Sequence, residues 1–223
     1  MSEYSCFDII GPVMVGPSSS HTAGAVRLGR LARAIADGLP KSVQIILHGS
    51  FAKTYRGHGT DLAILAGLLG MEPDDIRIRD SYRLAEEAGL DFTITTADLG
   101  EQYHANTVKF VMVNQFDYEI TMIGCSVGGG KVMITELNDF PVEIEGRLPA
   151  IINTHLDQPG VIHAITGILA RYQVNIAYMK VFRKEKRTTA YMVIETDEYV
   201  PQEAMDELVA LKVIVDVKFI APV

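Results

Sequence analysis

A chain of 223 residues, 48% of them hydrophobic, is long enough for one sizeable core or two smaller ones. With 28 acidic against 20 basic residues and a formal net charge of -8, it lacks the concentrated positive field that a nucleic-acid partner requires. It shows neither an apolar run of membrane-spanning length nor a signal-peptide pattern, and its two cysteines, Cys6 and Cys125, have no short spacing; a membrane partner is not expected and the reducing cytoplasm is.

In chain order, residues 22–37 read as a helix with an apolar stripe of Leu28, Leu31, Ala32 and Ile35. A strand follows at 43–47. A buried helix spans 62–69, started by Thr60 and Asp61, and another helix spans 82–88. Strands are expected at 92–96, 108–113, 119–123 and 132–137, which makes this part a mixed α/β domain over 1–140. Turn residues and charge over 138–149 read as a linker.

The remainder is more regular. Residues 150–155 form a short apolar strand, and Asp157-Gln158-Pro159-Gly160 a turn and helix start. Val161, Ile162, Ile165, Ile168, Leu169 and Tyr172 recur at helical spacing. A strand at 175–182, a charged hairpin tip from Arg183 to Arg187, a strand at 189–195, a helix opened by Pro201 and a last strand at 213–219 complete the order βαββαβ. That is the ferredoxin-like arrangement, placed at 148–223, and the whole chain is α+β.

Four polar, glycine-rich spots in the first part could carry chemistry. Residues 16–24, Gly-Pro-Ser-Ser-Ser-His-Thr-Ala-Gly, place four hydroxyls and an imidazole beside a helix start, where backbone N–H groups can hold an anion. A polar turn that only caps the helix is the competing reading, although a capping box is absent. Next, Gly57-His58-Gly59-Thr60-Asp61 clears space around an imidazole that Asp61 could orient, unless it caps the next helix. His104-Ala105-Asn106-Thr107 enters a strand, and Ser126-Val127-Gly128-Gly129-Gly130 reads as a turn with free N–H groups. His48, His155 and His163 taken singly read as structural or solvated, and Arg27, Arg30 and Arg33 as a solvated helix face or one turned to an acidic partner. A serine hydrolase is disfavoured because no serine sits in a G-x-S-x-G elbow, and no lysine has the setting of a pyridoxal phosphate site apart from Lys131 after the glycines.

The segments 16–24 and 57–61 resemble the beta chain of iron–sulfur-dependent L-serine dehydratase. His104 to Thr107 is similar to that family's His-Pro-Asn-Thr, with Ala105 in place of the proline; Arg56 stands where relatives often have lysine. Residues 157–162 and 174–176 resemble the signature of an ACT domain. The resemblance covers nearly the whole chain. It implies an amino-terminal domain like the allosteric substrate-binding domain of phosphoglycerate dehydrogenases, followed by an ACT regulatory domain. The implied activity is a lyase that deaminates L-serine to pyruvate and ammonia. Its [4Fe–4S] cluster would be ligated by cysteines of a separate alpha chain, the expected partner; this chain itself is expected to supply no metal ligand. The resemblance implies a substrate pocket of Ser18, Ser19, Ser20, His21, Thr22 and Asn106, with His58 as general base or proton shuttle. It also implies an amino-acid effector at His155, Asp157 and Asn175, with asparagine at the middle position in the relatives, and homodimerisation through the ACT domains. The alternative is a non-catalytic amino-acid-binding regulatory module.

Overall fold

The computed structural model describes residues 12–183 and 185–223, so Cys6 and Lys184 lie outside the described residues. The chain divides into two compact units, with the boundary between Glu145 and Gly146.

The first unit is built on a six-stranded sheet. Its strands are β1 (Ser42–Leu47), β2 (Asp91–Thr96), β3 (Thr107–Val113), β4 (Glu119–Gly128), β5 (Lys131–Leu137) and β6 (Phe140–Ile144), in the order β2-β1-β3-β4-β5-β6. Only β1 and β2 run parallel; the other neighbours are antiparallel. A parallel pair needs a long crossover, and this one carries α2 (Gly49–His58), α3 (Thr60–Leu68), a 3-10 turn (Ile76–Asp80) and α4 (Ser81–Glu87). Ahead of β1, a π-helical turn (Ser19–Gly24) runs directly into α1 (Ala25–Ile35), so the first helix starts earlier and wider than the periodicity predicts.

Two further differences matter. Residues 138–149 are not all linker. Asn138 and Asp139 take positive φ (50 and 63), the geometry of a tight hairpin, and Phe140–Ile144 then pairs with β5. The alternation of buried Phe140, Val142 and Ile144 with exposed neighbours was the available signal. Helix α2 has no counterpart in the sequence reading, because Phe51 is its only buried residue and no apolar stripe exists to reveal it.

Helix α3 is buried on every side, as expected of a segment with no polar face. It crosses α1 at a glycine notch: a Cβ on Gly67 would lie 2.0 Å from the Val26 carbonyl oxygen, and one on Gly29 would lie 2.3 Å from that of Ile64. The stripe arginines tie α1 to its surroundings. Arg33 donates to the Leu68 carbonyl (2.9 Å), Arg30 pairs with Glu72, and Arg27 donates to the Gly130 carbonyl (2.6 Å).

The second unit is the ferredoxin-like arrangement. Strands β7 (Ala150–Leu156), β8 (Ile176–Arg183), β9 (Thr189–Thr196) and β10 (Ile214–Ile220) lie in the order β10-β7-β9-β8, with α5 (Val161–Arg171) and α6 (Gln202–Ala210) as the crossovers. Ile151, Ile165, Leu169, Met192, Ile194 and Leu208 are among the core side chains between sheet and helices.

The notch makes a stability prediction. Gly67→Ala should cost about 3 kcal/mol by overpacking against backbone, lowering the Tm of the first unit by roughly 10 °C in differential scanning calorimetry. Gly167→Ala in α5, where a Cβ meets nothing within 4 Å, should leave Tm unchanged or slightly raised.

Candidate functional site

The π-helical turn carries His21 into the protein. Ser18 precedes the turn in extended conformation, and its Oγ accepts the His21 backbone N–H at 3.2 Å. The same Oγ lies 3.3 Å from His21 Nδ1, and Ser50 Oγ lies 3.3 Å from Nε2, so both ring nitrogens have hydroxyl partners. His21 is 8% exposed, and its ring stands edge-on to Phe51 (centroids 5.1 Å apart) and to His58 (4.8 Å, planes at 72°). Burial holds the His21 pKa below its ordinary value; the neighbouring His58 adds to this, and a backbone hydrogen bond at Ser50 opposes it.

His58 ends α2, and Gly59 closes that helix in the left-handed conformation (φ 66) before α3 begins. His58 Nδ1 is buried with no hydrogen-bond partner among the described residues. The ring borders a cleft of about 330 Å³ whose lining includes Gly16, Pro17, Arg56, Gly59 and Arg79. Asp61 does not orient this imidazole. Its carboxylate accepts the Leu62 N–H (2.9 Å) and the Tyr82 hydroxyl (3.0 Å), and burial together with that carboxylate pushes the Tyr82 phenol up to about 12. Thr60 and Asp61 lie inside the first turn of α3, not ahead of it.

The other two spots build the frame. His104 Nδ1 accepts the Asn106 N–H (3.1 Å), which makes that imidazole part of a turn. Asn106 is tied to β4, its carbonyl accepting the Ser126 N–H and its side-chain amide donating to the Ser126 carbonyl at 3.4 Å. Ser126 and Gly128 belong to β4, so the glycines form a β-hairpin turn rather than an open cradle of N–H groups. Ser126 backs directly onto the π-helical turn: a Cβ on Gly24 would lie 2.2 Å from its Oγ. The four spots therefore converge, with Ser18, His21 and His58 meeting side chain to side chain and the others holding them. Ser19 and Ser20 are partly exposed on the turn, and Thr22 is buried with its hydroxyl unpartnered among the described residues. Sequence reasoning missed Ser50, although its spacing of four from Thr54 and eight from His58 marks one helical face once α2 is known. His48 is structural, its Nδ1 accepting the Leu99 N–H at 3.0 Å.

An iron–sulfur cluster needs several thiolates. Cys125 is buried in β4, where burial raises its thiol pKa, and no group of three His, Cys, Asp or Glu side chains among the described residues could hold a metal ion. The donor set among the described residues does not fit a cluster.

In the second unit, His155 is buried and hydrogen-bonded through Nδ1 to Asn153 Oδ1 (2.9 Å). Burial lowers its pKa, with Asp157 opposing. Asp157 accepts from Arg183 Nη1 (3.0 Å) and the Arg187 N–H (2.9 Å), contacts that hold its carboxyl below the usual range. Asn175 is not brought to this pair. His155 lies opposite Ala190 and Ile176 opposite Thr196, so six residues of β9, roughly 20 Å, separate Asn175 from His155 within one chain. Its side chain donates to Asp197 instead (2.6 Å).

The second unit makes this an ACT-domain protein, and the model described as ACT domain matches residues 150–213. The model described as serine dehydratase beta chain matches residues 5–137. Over 221 residues the chain is 43% identical to the probable L-serine dehydratase beta chain of Bacillus subtilis, covering 99% of this chain and 100% of that one. It is 37% identical to the L-serine dehydratase beta chain of Peptoniphilus asaccharolyticus, covering 99% of each. A D-3-phosphoglycerate dehydrogenase of Synechocystis is 27% identical over 82% of this chain and 33% of that one. The chain belongs to the serine dehydratase beta chain family.

Two imidazoles held neutral make stability pH-dependent. The pKa values of His21 and His155 are lowered by folding, so the unfolded chain takes up these protons first. The stabilisation is complete above about pH 6.5 and is lost as pH falls through the folded-state values. The urea midpoint of the second unit should therefore fall between about pH 7.5 and about pH 5, and His155→Gln should flatten that dependence.

Proposed function

We propose that this chain supplies the base and the substrate cradle of a lyase that deaminates L-serine to pyruvate and ammonia, working beside a separate alpha chain whose cysteines carry a [4Fe–4S] cluster. The observation that carries the reading is His58: an imidazole on a cleft, its Nδ1 buried and unpartnered, with a second imidazole packed edge-on against it. With Nδ1 enclosed, the Nε2 edge is the one available to take the α-proton of a bound amino acid. Ser18 to Thr22 and Asn106 do not line that cleft themselves; His21 reaches it through its ring contact with His58, and holding the substrate's carboxylate and amino group is the role the family resemblance implies for these residues. Arg56 and Arg79 keep the cleft cationic, which suits a carboxylate. The cluster, when bound on the partner, supplies a Lewis acid for the departing hydroxyl. Full-length identity to two beta chains supports the catalytic reading over a purely regulatory module. Among the described residues no helix is long and apolar enough to cross a membrane.

Anaerobic co-expression with the alpha chain tests this. His58→Ala should lower pyruvate formation from L-serine on the order of a thousandfold while the two chains still co-purify. Unchanged turnover would remove His58 from the chemistry.

The second unit regulates through a paired ACT sheet. β8 is a terminal strand whose outward Met179 and Val181 are each 37% exposed. Antiparallel pairing of two copies along β8 carries Asn175 of one copy to the His155–Asp157 end of the other, completing the effector site that a single chain leaves open. Arg183 beside Asp157 offsets the acidic charge toward an amino-acid carboxylate. Val181→Glu should shift the full chain to a smaller species in analytical ultracentrifugation and weaken calorimetric binding of L-serine at the ACT domain about tenfold or more; an unchanged sedimentation profile would rule out this pairing.

A further inference from the structure

We propose that Ser50 is a positioning residue for His58, acting through His21. Ser50, Thr54 and His58 recur at a spacing of four along α2 and so share one face of that helix, and Thr54 Oγ1 donates back to the Ser50 carbonyl at 2.8 Å. His21 lies across this face, meeting Ser50 through Nε2 (3.3 Å) and His58 ring to ring (4.8 Å). Ser50 is itself fixed. Its N–H donates to the Ala105 carbonyl at 2.6 Å, and at neighbouring Gly49 a Cβ would lie 2.5 Å from that same oxygen, so the loop of residues 104–107 grips the start of α2.

Each hydroxyl can donate to or accept from the ring nitrogen it meets; in the arrangement proposed, Ser18 Oγ, which accepts the His21 backbone N–H, gives its own proton to Nδ1. The ring proton then resides on Nε2 and is donated to Ser50 Oγ. A neutral ring locked at both nitrogens presents a fixed edge to His58, whose Nδ1 has no partner among the described residues to hold it otherwise. Ser50 thus orders His21, and His21 sets the plane in which His58 meets the cleft. The inference rests on His58 being the base.

The test uses the full chain, labelled with ¹⁵N-histidine and co-purified with the alpha chain. Histidine nitrogen shifts, assigned with His21→Gln and His58→Gln, should show His21 as the single Nε2–H tautomer. Ser50→Ala should turn this into a tautomer mixture and lower kcat on the order of a hundredfold with KM within about twofold. Ser50→Thr, which keeps the hydroxyl, should restore both. Ser18→Ala frees the other end of the ring and should also mix the tautomers, which keeps the test open if Ser50→Ala misfolds. Wild-type nitrogen shifts in both alanine variants, or a Ser50→Ala enzyme that changes KM alone, would overturn the proposal. Full activity in His58→Ala would defeat the reading of His58 as base, while the nitrogen shifts would still report whether Ser50 orders His21.

Discussion

The first unit is organised around the burial of one neutral imidazole. A buried ring nitrogen left without a partner costs about 1–3 kcal/mol, and His21 avoids that cost because both of its nitrogens are met. Ser18 meets one from the start of the turn and Ser50 meets the other from the start of α2. Two segments some thirty residues apart must therefore converge on one side chain. The wide π-helical turn makes this possible by carrying His21 inward before α1 takes up its regular course. Seating that turn requires Gly24, because Ser126 of β4 occupies the space a side chain would need. The sheet, the crossover and the turn are in this way fitted to the same ring.

The division of labour among the polar motifs follows. Two of them, at residues 16–24 and 57–61, place imidazoles against each other beside the cleft. The other two hold the strands and helices that carry them: Asn106 laces β3 to β4, the Ala105 carbonyl caps α2, and the Gly130 carbonyl is held by Arg27. Arg27 also shows how charge is used here. Burial lowers its pKa, with Arg30 beside it and Glu72 opposing, so this guanidinium acts as a structural tie on the α1 face.

Legibility in the sequence followed how much each element depends on its own apolar pattern. The ferredoxin-like unit was readable because its elements carry clear apolar runs or repeats between turn signals, as Ile165, Ile168 and Leu169 in α5, the alternating β8 and the continuously buried start of β7 show. Strand β6 was hidden by Asn138, Asp139 and Pro141, whose turn character outweighed three alternating apolar residues. Helix α2 left no mark because Lys53, Thr54, Arg56 and two glycines surround one buried phenylalanine. With α2 unseen, Ser50 had no helical face to belong to, and Asp61 read either as an orienter of His58 or as a helix cap, with its partner Tyr82 unforeseen. The polar spots themselves were legible, since glycines beside histidine and serine have little use in a core. Their convergence was not, because it depends on a close approach at Gly24 and a crossover that no local pattern encodes.

Each unit, taken alone, leaves a polar arrangement incomplete. In the first, His58 Nδ1 is enclosed without a partner and no set of side chains suited to a metal stands nearby among the described residues. In the second, His155 and Asp157 lie at one end of the sheet and Asn175 at the other, with β9 between them. The two gaps differ in kind. The ACT sheet ends in an edge strand, β8, with an open backbone, and the proposed pairing of two copies rests on that edge. The His58 cleft is lined by arginines, glycines and an imidazole, with no cysteine among its lining residues, which is why the proposed reaction assigns the cluster to a chain of different composition.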